Sequence, residues 1–100
     1  MFTLDKRIIM KLRYTCNFND ILICNLQYLV QCLMNRFRSI SNVKIHVEEN
    51  NIILNTYDRF GNLFTFYILD IVYSSEFDIA SSIETLYNAY EKAIIEESMR

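Results

Sequence analysis

The chain has no proline, no tryptophan and a single glycine, Gly61, among its 100 residues. Loops that cradle phosphates need several glycines, because the backbone must reach the anion without a Cβ in the way. One glycine therefore speaks against a P-loop or a dinucleotide-binding fingerprint. Without Pro- or Gly-rich stretches, repeats or low-complexity segments, nothing divides the chain, and residues 1–100 read as one α+β domain.

A long hydrophobic run is missing as well. The most apolar window, Ile21 to Met34, is interrupted by Asn25, Gln27 and Gln31. Its 14 residues are too few to span a bilayer core of about 30 Å. Asp5, Lys6 and Arg7 stand where a secretory signal would carry its apolar stretch, so the expected compartment is the cytoplasm. The three cysteines, Cys16, Cys24 and Cys32, are an odd count that suits reduced thiols. On a helix, Cys24 and Cys32 would lie about 12 Å apart along the axis and about 80° apart around it. That is too far to share a zinc ion, so neither metal nor cofactor is expected.

What is present is a core and a charge gradient. The chain is 52% apolar and 14% aromatic, ample for a packed interior. Phe, Tyr, Met, Ile, Asn and Lys supply 46 residues, against 10 for Gly, Ala, Arg and Pro, the signature of an AT-rich genome. Residues 1–44 carry seven Lys/Arg against two Asp/Glu, a formal +5. Residues 45–100 carry three against ten, a formal −7, which together give the net −2. Such a split means either neutralisation across the fold or two surfaces for different partners.

Hydrophobic periodicity gives the order β-α-β-β-β-α. From Arg7 to Cys16, Ile8, Met10, Leu12, Tyr14 and Cys16 alternate with a basic outer face, the period of a half-buried strand. Asn17, Asn19 and Asp20 offer N-caps for a helix from Asp20 to Arg38. Its apolar arc holds Leu22, Ile23, Leu26, Leu29, Val30, Leu33, Met34 and Phe37, opposite Gln27, Gln31 and Asn35. Three strands follow around Val43–Val47, Ile52–Tyr57 and Leu63–Tyr73, turning at Glu49-Asn50-Asn51 and at Asp58-Arg59-Phe60-Gly61-Asn62. The last strand is apolar on both faces. Ser75 then caps an acidic helix with the stripe Ile79, Ile83, Leu86, Tyr87, Tyr90 and Ile94. The expectation is a two-layer α+β sandwich, an antiparallel meander packed by two amphipathic helices.

Chemistry-bearing residues are few. His46 sits at an outward strand position between Lys44 and Glu48, without the nucleophile turn a hydrolase would need. Asp58 and Asp70 flank the last hairpin, where turn formation and strand closure account for them more simply than paired-carboxylate catalysis. The stretch from the first long helix onward resembles double-stranded-RNA-binding domains in element order. Where those carry a basic helix start, this chain has the acidic Ser75-Glu76-Phe77-Asp78-Ile79-Ala80, so the resemblance stops at the residues that would touch RNA.

By elimination, the expectation is a small non-catalytic protein-binding module. An AT-rich, compact chain suits an inhibitor or adaptor encoded by a phage, virus or mobile element, such as an anti-defence or anti-CRISPR protein. Candidate contacts are Tyr57, Leu63, Tyr67, Leu69 and Tyr73, with Glu84 and Glu91 on the acidic helix; a sheet face left uncovered would suit a homodimer or another protein. The alternative is nucleic-acid binding through Arg7, Lys11 and Arg13 of the first strand with Lys44. No small-molecule substrate and no membrane association is expected.

Overall fold

The first segment corrects the sequence reading. In a computed structural model, which describes residues 2–37, 42–57 and 61–98, the expected first strand is a helix, α1 (Lys6–Thr15). Asp5 caps it, its carboxylate accepting from the Ile8 amide at 2.9 Å. Ile8, Ile9, Leu12 and Cys16 turn inward at helical spacing, while Met10 and Tyr14 are 57% and 85% exposed. The alternation was therefore a coincidence of two exposed apolar residues with a helical stripe. Asn17, at φ 59°, reverses the chain in the left-handed region that Asn tolerates better than most residues.

Helix α2 (Asp20–Arg36) follows, with the Asn19 side chain accepting from the Leu22 amide at 2.9 Å. Its apolar arc is inward as the periodicity predicts, and Leu26, Leu29, Val30 and Leu33 are fully buried. Gln27 and Gln31 are not simply solvated. Their side-chain oxygens accept the Leu4 and Phe2 amides, tying the N-terminal segment along the helix.

Strands β1 (Asn42–Glu48), β2 (Asn51–Tyr57) and β3 (Leu63–Tyr67) form an antiparallel sheet in that order. β1 and β2 are joined by the two-residue turn Glu49-Asn50, with Glu48 opposite Asn51. Neither turn residue has positive φ, although Asn tolerates it; among the described residues only Asn17 and Gly61 do. Asp58, Arg59 and Phe60 of the second turn, Arg38 and the side chain of Ile94 lie outside the described residues.

The expected long last strand ends at Tyr67. β2 begins at Asn51, so after the Ile68 amide bonds the Ile52 carbonyl at 3.0 Å the partner strand runs out. The chain then folds into the short helix α3 (Leu69–Val72), in which Val72 is buried, with Ile68 just before it. Two apolar faces here meant a change from strand to helix, not a central strand. Ser75 caps α4 (Glu76–Ser98): its hydroxyl accepts the Asp78 amide at 3.2 Å and donates to the Asp78 carboxylate at 3.0 Å.

The protein is thus a small compact α+β structure with, among the described residues, four helices and a three-stranded antiparallel sheet. Phe37, at the end of α2, lies at the junction. It is 1% exposed, and its ring meets Phe66 of β3 and Tyr87 and Tyr90 of α4 at centroid distances of 5.7, 5.2 and 5.3 Å. Aromatic pairs at such distances add to the value of the buried area itself. Phe37→Ala is expected to cost about 3–5 kcal/mol in urea unfolding. Phe77→Ala, at a 79% exposed site, is expected to stay within about 0.5 kcal/mol of wild type.

Candidate functional site

Strand parity decides which sheet residues are free. Ile52, Leu54 and Thr56 of β2 are buried, and their cross-strand neighbours Val43, Ile45, Val47, Phe64 and Phe66 share that inner face, half-buried. Residues of opposite parity point away from the helices. The outer face holds Lys44, His46 and Glu48 of β1, Asn51, Ile53, Asn55 and Tyr57 of β2, and Leu63, Thr65 and Tyr67 of β3. No described element covers it. Tyr57, Leu63 and Tyr67 are 37%, 54% and 65% exposed.

The register arranges these side chains in rows. Tyr57 pairs with Leu63 at one end, and Ile53 with Tyr67 at the other. Between them Asn55 pairs with Thr65, whose hydroxyl donates to the Asn55 side-chain oxygen at 3.0 Å. The surface is therefore two apolar, tyrosine-bearing ends around a polar centre. Among the described residues it carries one cation, Lys44, one carboxylate, Glu48, and His46, whose Nε2 lies 3.4 Å from Glu48 Oε1. Near-neutrality, tyrosine and exposed leucine suit a protein surface better than a phosphate backbone.

The other expected contacts fall elsewhere. Leu69 is half-buried in α3, packed on the core. Tyr73 is exposed and stacks edge-on against Phe18, centroids 6.1 Å apart, away from the sheet face. Glu84 and Glu91 lie on α4 and are engaged. Arg36 donates from Nε and Nη2 to the two Glu84 oxygens at 2.8 and 2.9 Å, with its guanidinium 3.8 Å from the Tyr87 ring centroid. The Tyr87 hydroxyl donates to Glu91 at 2.9 Å. Ile53 was missed by sequence reading, although its parity with Tyr57 marks it.

The basic residues expected on a strand lie on α1 instead. Arg13 pairs with Asp20 at 2.7 Å. Arg7 and Lys11 share the exposed side of α1 with Lys6, Met10 and Tyr14; Lys6, Met10 and Tyr14 also went unforeseen, since only a helical period brings them together. Among the described residues, no carboxylate lies within ion-pair distance of Lys6, Arg7, Lys11 or Lys44. α1 packs on β1, whereas α4 reaches β3 through the Phe64–Tyr90 ring contact at 4.8 Å. The basic and acidic helices therefore stand over opposite edges of the sheet. Among the described residues one ion pair, Arg36 with Glu84, joins the basic and acidic halves of the chain, and no cation of α1 pairs with a carboxylate of α4.

Groups with reactive potential are dispersed. The Cys16 thiol is pushed up from its ordinary value by burial, which disfavours thiolate, and it donates to the Glu48 carbonyl at 3.7 Å. Asp70 is exposed in the first turn of α3, and Asp58 lies outside the described residues. Among the described residues no three His, Cys, Asp or Glu side chains could hold one metal ion, and no helix is long and apolar enough to cross a membrane. No protein-family model matches the chain, and no curated protein or solved structure matches it either.

The Arg36–Glu84 pair makes stability depend on pH. Hydrogen bonding from Arg36, with its charge, holds the Glu84 carboxyl below the usual carboxylate range. A depressed acid contributes stability above its unfolded value, and the contribution is lost as pH falls through the folded one. Glu84→Gln should therefore lower the thermal midpoint modestly at pH 7, since both partners are nearly half exposed. The gap from wild type should begin to narrow as pH falls below about 4, the ordinary glutamate range, and close below the depressed folded value. Melts from pH 2 to 7 check this; a gap that persists in acid would assign the loss to packing.

Proposed function

We propose that the chain is a small non-catalytic protein-binding module that presents the outer face of its sheet, Ile53, Tyr57, Leu63 and Tyr67, to a protein partner. The observation that carries this reading is that face itself: among the described residues it is uncovered and nearly neutral, and it bears two exposed tyrosines and an exposed leucine. Tyrosine supplies large contact area with little rotamer entropy to lose and is enriched at hot spots. The non-catalytic part is supported by His46, whose close charged neighbour among the described residues is Glu48 alone, and by the raised Cys16 thiol.

The AT-rich composition extends the proposal to an inhibitor or adaptor encoded by a phage, virus or mobile element. It would act in the host cytoplasm on a host macromolecule, as an anti-defence or anti-CRISPR protein does. A second reading has its own observation. Lys6, Arg7 and Lys11 form a cationic helix face that meets no carboxylate among the described residues, which suits phosphate contacts and a nucleic-acid-binding regulator.

Two measurements separate the readings. Capture from nuclease-treated lysate of the source cells should retain a stoichiometric protein on wild type and lose it on the Leu63→Glu, Tyr67→Glu double variant, whose substitutions lie at exposed sites. Equal capture by both baits, or none by either, would sink the sheet-face reading. Retention on heparin or DNA at physiological salt is expected to be weak, and unchanged in Arg7→Glu, Lys11→Glu. Strong, salt-sensitive retention that this variant abolishes would move the function to α1.

A further inference from the structure

We propose that β1 is an interface for a second copy of this chain, pairing antiparallel with the partner's β1 about a two-fold axis at His46 and joining two sheets into one of six strands. This goes beyond the protein-binding reading, since it uses the edge of the sheet and not its face.

The backbone leaves that edge free. In a hairpin closed by a two-residue turn, the closing pair is hydrogen-bonded, here Glu48 with Asn51, and bonded pairs then alternate. His46 and Lys44 therefore aim their backbone groups at β2. Val43, Ile45 and Val47 aim theirs outward. The bond from the Ile68 amide to the Ile52 carbonyl agrees, since it shows Ile52, opposite Val47, turned toward β3. Among the described residues, no hydrogen bond reaches the outward amides and carbonyls of Val43, Ile45 and Val47. Space lies beside them: a groove of about 440 Å³ runs between the N-terminal segment and Val43–Ile45, with Phe2, Leu4 and Ile8 in its wall.

The side chains choose the occupant and its register. Pairing about His46 sets Ile45 against the partner's Val47 as a hydrogen-bonded pair on the inner face, twice over. On the outer face it sets Lys44 against the partner's Glu48, again twice, at the close spacing of a non-bonded pair. Residues near the partner's turn then enter the groove beside Val43–Ile45. A centre at Lys44 would oppose two lysines, and a centre at Ile45 would oppose Lys44 with His46. A centre at Val47 would set His46 against Glu48 and leave Lys44 opposite Asn50, so the centre at His46 is the one that pairs a full cation with a full anion. A five-residue edge is short of the roughly 800 Å² per partner of a stable interface, so the dimer should form only at about micromolar concentrations or above.

Sedimentation equilibrium from about 1 μM to 1 mM tests the proposal. Wild type should dimerise. Lys44→Glu and Glu48→Lys, both at exposed positions and checked for wild-type circular dichroism, should each weaken the homodimer at least about tenfold by opposing like charges. Mixing the two variants should restore dimer as a heterodimer, because each altered residue then meets its opposite. Amide exchange at Val43, Ile45 and Val47 should slow as concentration rises, which reports on the edge even if a variant misfolds. A wild type that stays monomeric overturns the proposal. So does a dimer indifferent to both substitutions, a mixture no tighter than its components, or exchange independent of concentration.

Discussion

The burial of one side chain, Phe37, underlies the arrangement of everything after α2. Its ring joins the end of α2, the inner face of β3 and the middle of α4, at centroid distances between 5.2 and 5.7 Å. The preceding residue, Arg36, reaches the same stretch of α4 from outside by its two bonds to Glu84 and its stacking on Tyr87. Consecutive residues thus hold one helix by opposite chemistry. Phe37 supplies buried area, and Arg36 supplies direction at little net energy in solvent.

This junction decides where the free surfaces are. With α4 held against β3 and α1 against β1, the inner-parity residues of the strands are buried or half-buried and nothing described covers those of the outer parity. A three-stranded sheet is small, about 14 Å across at about 4.8 Å between strands. Its outer face can therefore be one contact but not several. The same placement keeps basic α1 and acidic α4 over opposite edges, so Lys6, Arg7 and Lys11 of α1 remain available to solvent or to a partner.

The sequence made the meander, α2 and α4 legible because each shows a period over several turns or pairs, with caps at Asn19 and Ser75 where side-chain oxygens were expected. It misled at α1, since Met10 and Tyr14 completed a false alternation and the Asp5 cap went unweighed. It misled again at Leu69 to Tyr73. There the strand stops for a reason outside its own residues: β2 has no more backbone to offer. The candidate face was legible at Tyr57, Leu63 and Tyr67, which share a parity. Leu69 and Tyr73 were assigned to it by extending that parity past the strand's true end, and Ile53 was overlooked because β2 was not divided into faces. The cation cluster was foreseen as to residues and misplaced as to element, because exposure on a helix follows a different period.

A charged edge strand is commonly a defence, as a lysine repels the neighbouring sheets that unpaired backbone would otherwise recruit. Lys44 and Glu48 fit that role against strands at random, whose side chains will not match both. The same two residues do not repel a copy of themselves in the antiparallel register centred at His46, where each meets its opposite. An edge can therefore refuse most strands and accept one register of one strand, with specificity coming from the mismatches it penalises as much as from the pair it favours. The outer faces of two such sheets would then lie side by side. A tyrosine-bearing surface too small for a standard interface on one chain would double, and binding at the face would be coupled to pairing at the edge.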